Sequence, residues 1–496
     1  MSFLSRFSPV PSFPPLPGPY HVGTVDVEID VKELESPVPQ PEDAPATIAY
    51  RIFYPCEKPK DHHARPVYWI PSPQKENLAS LIKFGGISDR MAGFLAAFPT
   101  PVSHIHIPAI RSASLLAPKT TTDRYPVTIF SHGLAGTRNL YSHLCASLSS
   151  YGQIVIAPSH RDGSAPIAHV RATSSTPAQK VPNISIPYSG ADEVFSARDR
   201  QLRIRCWEVG LAYTSLLAID SGAAITNLDE NFNSKKQKEE VLSRFKGTFD
   251  LRPGAVTFAG HSFGGVTSIQ FVKSVYYASS LPAEGTLFRP REGSSIIEQI
   301  TKGTKLVLFD PWMIPVFSPF QTALKEKPLP CFDGPDAPGG KAVIAIVSEG
   351  FWKWKQNLNE VVAMMRVPRQ GKGLEPGRAW YAVGSKHFSQ SDFGVLFSWL
   401  LERFMKAANG RELLEGNVKL VNGMLRENGV EIAMDEGING EEKVEGINGE
   451  EKVEGAANGM ANGGVNGVDG GQVEQPVSQA MPNMLDEKVW IKIPVD

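Results

Sequence analysis

The stretch AVTFAGHSFGG, residues 255–265, decides the fold because it joins an apolar run to a glycine-rich turn and a helical pattern. Residues 255–259 are typical of a buried strand, and apolar side chains then recur at helical spacing from Val266 to Val275. In such a unit, flanking glycines allow a sharp turn that lifts the serine side chain out of the sheet. The pattern therefore predicts that Ser262 is an enzymatic nucleophile.

Short apolar strands alternate with helices on both sides of this unit. Strands are predicted at 25–31, 47–54, 127–130, 154–157, 305–309, 342–347 and 380–383, and helices at 140–151, 197–219, 265–278 and 392–406. The run 25–31 alternates apolar and acidic residues, which predicts a half-exposed strand at an antiparallel entry to the sheet. The alternation as a whole favours a mostly parallel sheet with helices on both faces, in the α/β class. With the serine turn, it predicts the α/β-hydrolase fold.

Composition limits the possible partners and location. The 496 residues include 50 basic and 52 acidic side chains, a net charge of −2, which gives no electrostatic footprint for nucleic acid. The four cysteines form no CxxC pair, so no zinc site or redox motif is expected. No run is long enough for a transmembrane helix, and prolines interrupt the N-terminal residues where a signal peptide would need an apolar stretch. We therefore expect a cytoplasmic protein.

The C-terminal part of the chain differs in composition from the rest. Residues 409–496 are rich in glycine, and the segment 438–446 is repeated at once as 447–455. Such a segment carries too little apolar surface to offset the entropy of ordering it. We expect one hydrolase domain over residues 1–408 and a disordered tail over 409–496, in which 489–493 could form a terminal strand.

The chemistry of a serine nucleophile requires an oxyanion hole and a general base. In this fold one N–H donor belongs to the residue after the serine, here Phe263, and the other to an early strand–loop junction. The segment SHGL, residues 131–134, follows a predicted strand and offers the Leu134 N–H. The base must be a histidine that follows the serine, and His387 is the only histidine C-terminal to Ser262.

Two acidic residues are candidates for the group that orients the base. Asp310 ends the predicted strand 305–309, and Glu349 follows the strand 342–347. Both would lie at the same edge of a parallel sheet, so the pattern alone leaves the choice open.

Together these motifs resemble the platelet-activating-factor acetylhydrolase family over about residues 18–399. The resemblance is carried by GPYHVG (18–23), RIFYP (51–55), WIP (69–71), SHGL (131–134), SHRD (159–162), GHSFGG (260–265), DPWM (310–313) and HFSQSDF (387–393). It implies hydrolysis of a short acyl chain at the sn-2 position of a glycerophospholipid without a metal or other cofactor, and it makes a membrane surface a candidate source of the substrate. It also implies that Asp310 is the acid.

Aromatic residues near the predicted site are candidates for the substrate pocket. Trp312, Phe351 and Trp352 follow the strands that carry the two acids. Two other functions fit the same motifs: a general carboxylesterase without phospholipid preference, and a non-catalytic lipid-binding protein. An intact set of Ser262, Asp310 and His387 argues against the second.

Overall fold

The computed structural model describes residues 10–58, 66–98, 100–188, 190–232, 234–282, 286–434, 485 and 488–495. The strands are β1 His21–Asp30, β2 Thr47–Cys56, β3 Ile110–Arg111, β4 Val127–Ser131, β5 Ile154–Pro158, β6 Ile167–Val170, β7 Gln179–Pro182, β8 Thr257–His261, β9 Lys305–Phe309, β10 Val343–Ser348, β11 Arg378–Ala382 and β12 Trp490–Ile493. The helices are α1 Gln74–Phe84, α2 Asp89–Ala97, α3 Ser142–Ser149, α4 Asp192–Ser221, α5 Lys235–Glu240, α6 Phe263–Tyr276, α7 Ser295–Gln299, α8 Thr322–Lys325, α9 Glu349–Lys353, α10 Lys355–Met365, α11 Asp392–Leu396, α12 Ser398–Met405 and α13 Gly410–Glu427.

The central sheet has ten strands in the order β12-β11-β10-β9-β8-β4-β5-β2-β1-β3. Its middle part, from β11 to β5, is parallel throughout. The N-terminal strands β1 and β2 pair antiparallel, and β2 also pairs antiparallel with β5. The predicted mostly parallel sheet with an antiparallel entry is confirmed. Because the strands run parallel, the loops after β4, β8, β9 and β11 meet at one edge.

Side chains on successive strand positions face opposite sides of the sheet and form two apolar cores. Ile129 and Phe258 belong to the core that includes residues of α4 and α6. Their neighbours Phe130 and Ala259 belong to the core that includes residues of α3 and α13. Burial of each such large apolar side chain is worth about 1.5–3 kcal/mol, so helices on both faces stabilise the strands that carry the site.

The predicted exposure of strand β1 is wrong. The carboxylates of Asp26 and Glu28 are almost completely buried. Asp26 pairs with Arg51 at 2.7 Å, and Glu28 pairs with Arg161 at 2.9 Å. A buried carboxylate needs such partners, and these arginines lie on β2 and after β5, beyond the reach of a local sequence pattern.

The predicted domain boundary at residue 408 is also wrong, because helix α13 (410–427) packs into the core. Asn409 caps this helix through the Arg411 N–H, and Leu414, Val421 and Leu425 are buried. The repeat that dominates the composition lies outside the described residues. The amino-acid composition averaged over residues 409–496 conceals the amphipathic pattern of α13.

The terminal strand suggested for 489–493 is present as β12, which pairs antiparallel with β11. Its Trp490 ring packs on Gly416 of α13 so closely that an added Cβ would lie 2.5 Å from the indole. The single helix predicted over 392–406 is divided into α11 and α12. Among the described residues, no helix has the length and apolar character needed to cross a bilayer.

Candidate active site

The serine turn connects β8 directly to α6. Ser262 has φ 56° and ψ −119°, a left-handed conformation that L residues rarely adopt and that costs on the order of 1–3 kcal/mol. Gly264 lies against the end of β4, where an added Cβ would be 1.9 Å from the Ser131 carbonyl oxygen. At Gly260 the Cβ would be 2.3 Å from the Gly264 oxygen. Only glycine fits these positions, and together they hold the serine at the edge of the sheet.

Asp310 and His387 are joined across the sheet edge. The His387 Nδ1 lies 2.9 Å from the Asp310 Oδ2, and the Asp310 side chain is fully buried. The other carboxylate oxygen accepts the Ser348 N–H at 2.5 Å. Asp310 itself has φ 42°, which turns the end of β9 toward the histidine loop. The carboxylate is therefore fixed by two donors and can hold the imidazole in one orientation.

Glu349, the other candidate acid, does not bond the His387 ring. The Glu349 carboxylate accepts the Gly384 N–H at 2.6 Å and pairs with Lys353 one helical turn away. The hydrogen bonds from Lys353 and Gly384 lower the pKa of Glu349. Glu349 thus anchors the start of α9 to the loop after β11, and it makes no hydrogen bond to the His387 ring among the described residues.

Two backbone N–H groups at the predicted oxyanion hole have no hydrogen-bond partner among the described residues, those of Leu134 and Phe263. Phe263 is the first residue of α6, where a free N–H is inherent to the helix end. The loop that carries Leu134 touches the serine, since a Cβ on Gly133 would lie 3.0 Å from the Ser262 Cβ. The Ala135 N–H is bound to the Ser164 carbonyl at 2.9 Å, which leaves the Leu134 N–H as the available donor.

A buried polar network that the sequence patterns did not predict stabilises the loop that carries Leu134. The Arg205 guanidinium of α4 donates to the His132 carbonyl at 2.7 Å and to Asp162 and Ser164 at 2.7 and 2.6 Å. Its charge also lies 4.5 Å from the centre of the Phe263 ring. The segment SHRD, residues 159–162, supplies part of this network. In the sequence, only its resemblance to the platelet-activating-factor acetylhydrolase family indicated a contribution to the site.

His261, which precedes the serine, connects Tyr141, which accepts the Gly133 N–H, to His387. Its Nδ1 lies 2.8 Å from the Tyr141 hydroxyl, which also accepts the Gly133 N–H at 3.3 Å. Its Nε2 donates to the His387 carbonyl at 3.2 Å, and the two imidazoles pack at 4.4 Å. Because a carbonyl only accepts, the Nε2 carries the hydrogen. Burial and the nearby His387 keep the pKa of His261 well below its usual value.

Neutral buried histidines make a contribution to stability that is lost in acid. Burial lowers the pKa of four of them, to about 3 for His132 and about 4 for His143, and well below 6.5 for His160 and His261. Their folded pKa values lie below the unfolded value of about 6.5, so stability present above pH 6.5 is lost as the pH falls. Each contributes a slope of up to about 1.4 kcal/mol per pH unit. The raised pKa values of Glu208, Asp392 and Asp199, about 8, 7 and 6, act in the opposite direction over the same pH range. Urea unfolding between pH 7.5 and 5 measures this loss.

The matched variants for this measurement are His143→Gln, which replaces a buried ring, and His21→Gln, which replaces an exposed one. We expect the first to flatten the pH dependence and the second to leave it unchanged. A pH dependence that is the same in His143→Gln as in the unmodified protein would contradict the neutral buried state of His143.

The predicted pocket aromatics lie in different surroundings. Phe351 stacks on the His387 ring at 4.3 Å with an interplanar angle of 7°. Trp312 is 5% exposed and packs against Phe263 at 5.8 Å. Trp352 instead stacks on Tyr381 of β11 at 4.5 Å. The first two therefore border the candidate site, whereas the contacts of Trp352 are with the sheet.

One group of side chains in the described part of the chain could hold a metal ion. The ligand atoms of His261, Asp310 and His387 lie within 4.8 Å of one another. Both nitrogens of His261 already bond to Tyr141 and the His387 carbonyl, and the His387 Nδ1 bonds to Asp310. A metal ion would have to displace these hydrogen bonds.

The parallel sheet, the strained serine turn and the histidine loop at its carboxyl edge define an α/β-hydrolase fold, as predicted. The chain belongs to the platelet-activating factor acetylhydrolase, isoform II, family, whose model matches residues 6–418. The family predicted from the motifs is thereby confirmed, and the match extends into α13.

Individual proteins are similar to this chain to different extents. The chain is 27% identical to a "Putative phospholipase A2" of Schizosaccharomyces pombe, over 86% of this chain and 94% of the relative. It is 34% identical to the "Platelet-activating factor acetylhydrolase" of Bos taurus, where the alignment covers 44% of this chain and 45% of the relative. A solved ferulic acid esterase from Streptomyces cinnamoneus aligns with a TM-score of 0.44 and 13% identity, over 84% of this chain and 92% of the esterase.

Proposed function

We propose that this chain is a serine esterase that hydrolyses the short or oxidised sn-2 acyl ester of platelet-activating-factor-like glycerophospholipids. The observation that carries the proposal is the Asp310–His387 hydrogen bond of 2.9 Å at the same sheet edge as the strained Ser262 turn. The names of the relatives, a platelet-activating factor acetylhydrolase and a putative phospholipase A2, support this substrate class.

In the proposed mechanism the Ser262 Oγ attacks the ester carbonyl while the His387 Nε2 takes its proton. The buried Asp310 carboxylate holds the imidazole by its Nδ1 hydrogen and stabilises the imidazolium. The carbonyl oxygen becomes an oxyanion, which the unpaired N–H groups of Leu134 and Phe263 bind. The imidazolium then gives its proton to the leaving lysophospholipid oxygen, and water, activated by the same base, releases the acid from Ser262.

Stacking of Phe351 on the His387 ring supports this role for the base. The stack at 4.3 Å restricts rotation of an imidazole whose side chain is 38% exposed. Asp310 fixes one nitrogen, and the aromatic face fixes the plane, so the Nε2 is held in one direction. Preorganisation of this kind reduces the reorganisation needed during the reaction.

Exposed apolar side chains support the proposal that the substrate is taken from a lipid surface. Phe94 of α2 is 59% exposed, and Trp399 and Phe404 of α12 are 70% and 71% exposed. Helix α12 follows the histidine loop by a few residues, so part of this apolar surface is adjacent in the chain to the base. Large exposed apolar side chains are costly in water and are typical of interaction sites.

A cytoplasmic location is part of the proposal. All four cysteines are free and buried in the structure. Free thiols are usual where the compartment is reducing.

Chain-length selectivity tests the substrate class. We expect acetyl at sn-2 to be hydrolysed with a kcat/KM at least ~10²-fold higher than palmitoyl, because a pocket shaped for a short chain excludes many methylene groups at once. The measurement compares sn-2 acetyl, butanoyl, hexanoyl and palmitoyl phosphatidylcholines in mixed micelles, with an aryl acetate as reference.

Equal rates for acetyl and palmitoyl would contradict the proposed preference and favour a general carboxylesterase. Hydrolysis of neither phospholipid nor aryl ester would favour the non-catalytic lipid-binding alternative.

A further inference from the structure

Arg198 of α4 is a buried cation without an acidic partner. The residue is 4% exposed, and its guanidinium donates to Gln201 Oε1 at 2.8 Å and to the Ile186 carbonyl at 3.0 Å. The Nε hydrogen has no partner, and no carboxylate of the described residues forms an ion pair with this side chain. Asp162, a buried acid whose charge acts on Arg198, is already bound by Arg205 at 2.7 Å. A buried charge without a counter-ion is costly, so its retention calls for a ligand.

Aromatic rings hold the Arg198 guanidinium beside the candidate active site. Its central carbon lies 5.2 Å from the Trp312 ring centre, 5.7 Å from that of Tyr188 and 5.9 Å from that of Phe263. Phe263 carries one of the unpaired oxyanion N–H groups, and Trp312 follows Asp310 by two positions. Burial lowers the pKa of Arg198, and nearby Tyr188 and Asp162 oppose that shift. The rings fix the position of the charge but do not neutralise it.

A cavity of about 610 Å³ lies against this guanidinium. Leu134, which carries the other unpaired oxyanion N–H, lines the same cavity. Two cations, Arg198 and Lys83, line it, and the described residues of the lining include no aspartate or glutamate. Lys83 pairs with Asp89 at 2.8 Å, so Arg198 is the lining cation without an acidic partner among the described residues. Most of the remaining wall is apolar or neutral, including Phe84 and Ile184. The cavity therefore combines a largely apolar wall with the unpaired charge of Arg198 beside Leu134, and it suits an amphipathic anion.

We propose that Arg198 binds the phosphodiester of the glycerophospholipid substrate while the sn-2 ester occupies the oxyanion hole. This inference rests on the proposed function. In such a lipid the phosphorus is separated from the sn-2 ester oxygen by two carbons and one oxygen, so both groups can contact one wall of a cavity. A planar guanidinium is well matched to a phosphodiester. Phosphate binding would supply the counter-ion that Arg198 lacks in the fold. It would make the phosphate a determinant of substrate specificity without a part in the chemical step.

The test compares two esters that differ only in the headgroup, 1-alkyl-2-acetylglycerophosphocholine and 1-alkyl-2-acetylglycerol. The measured quantity is the ratio of their kcat/KM values in the unmodified protein and in Arg198→Met. We expect the ratio to fall by about 10- to 100-fold, mainly through KM, as for loss of a charge-assisted hydrogen bond. Arg198→Lys, which keeps the charge, should lose less of the ratio than Arg198→Met.

Arg200→Gln is the matched control. Arg200 lies on the same helix but its side chain is 69% exposed and it pairs with Asp43 at the surface. This variant should keep both the ratio and the absolute rates.

Three outcomes would overturn the inference. An equal loss of kcat/KM on both esters in Arg198→Met would assign Arg198 a structural role. Unchanged kcat/KM values on both esters would assign it no role in recognition. A loss confined to a third ester, a 2-acylglycerol whose short chain ends in a carboxylate, would identify that carboxylate as the anion instead of the phosphate. If the unmodified protein hydrolyses none of the esters, the proposed function fails, which is a distinguishable result.

Discussion

Ser262→Ala is expected to lower kcat for acetyl ester hydrolysis by at least ~10⁴-fold, because the proposed mechanism has no other nucleophile. The substitution removes only the Oγ, since the φ of 56° at this position is set by β8, α6 and their glycine contacts. The variant should therefore remain folded, with an unfolding midpoint close to that of the unmodified protein. Steady-state hydrolysis of a soluble acetyl ester, with and without EDTA, measures the effect. We expect the activity of the unmodified protein to survive EDTA.

Ser221→Ala is the control for this experiment, because Ser221 is exposed at the end of α4 and its hydroxyl bonds only the Ala218 carbonyl. It should retain full activity. A Ser262→Ala protein that keeps more than a few per cent of the rate would contradict the assigned nucleophile.

Asp310→Asn is expected to lower kcat by ~10⁴-fold, the magnitude found when the aspartate of a serine protease is changed in the same way. The amide has nearly the same shape, but its NH₂ cannot accept the His387 Nδ1 hydrogen and cannot balance the imidazolium charge. The isosteric Glu349→Gln should cost less than ~10-fold, because the Glu349 carboxylate bonds the Gly384 N–H and Lys353 rather than the base. Single-turnover kinetics with one acetyl ester compare the two variants directly.

An inactive Glu349→Gln beside an active Asp310→Asn would reverse the choice of acid. Loss of activity in both would point to a structural effect at this sheet edge, and unfolding midpoints would distinguish that case.

The sequence could predict the residues that the topology makes unique. His387 is the only histidine after Ser262, and the order of serine and histidine in this fold leaves no other base. The acid could not be chosen by pattern, because Asp310 and Glu349 each follow a parallel strand at the same edge. In the structure Asp310, and not Glu349, hydrogen-bonds the His387 ring. The direction of the Asp310 side chain goes with its φ of 42° and its bond to the Ser348 N–H, neither of which is visible in a local pattern.

Buried charges were the features that the sequence could not assign. Helix α4 carries many charged residues, yet Arg205 and Glu208 are buried because loops distant in sequence supply their partners. The acidic residues of β1 were misjudged for the same reason. The error in the predicted domain boundary at residue 408 has another cause. The composition of residues 409–496 averages a folded helix, α13, with a low-complexity repeat.

Covalent labelling with a fluorophosphonate probe, followed by mass-spectrometric mapping of the adduct, tests the central claim most directly. The probe reacts with a serine that a neighbouring base activates, so it reports on Ser262, His387 and Asp310 without knowledge of the lipid substrate. We predict one adduct, on Ser262, that is absent in Ser262→Ala and forms much more slowly in Asp310→Asn. An adduct on another serine, with Ser262 unmodified in the active protein, would contradict the account.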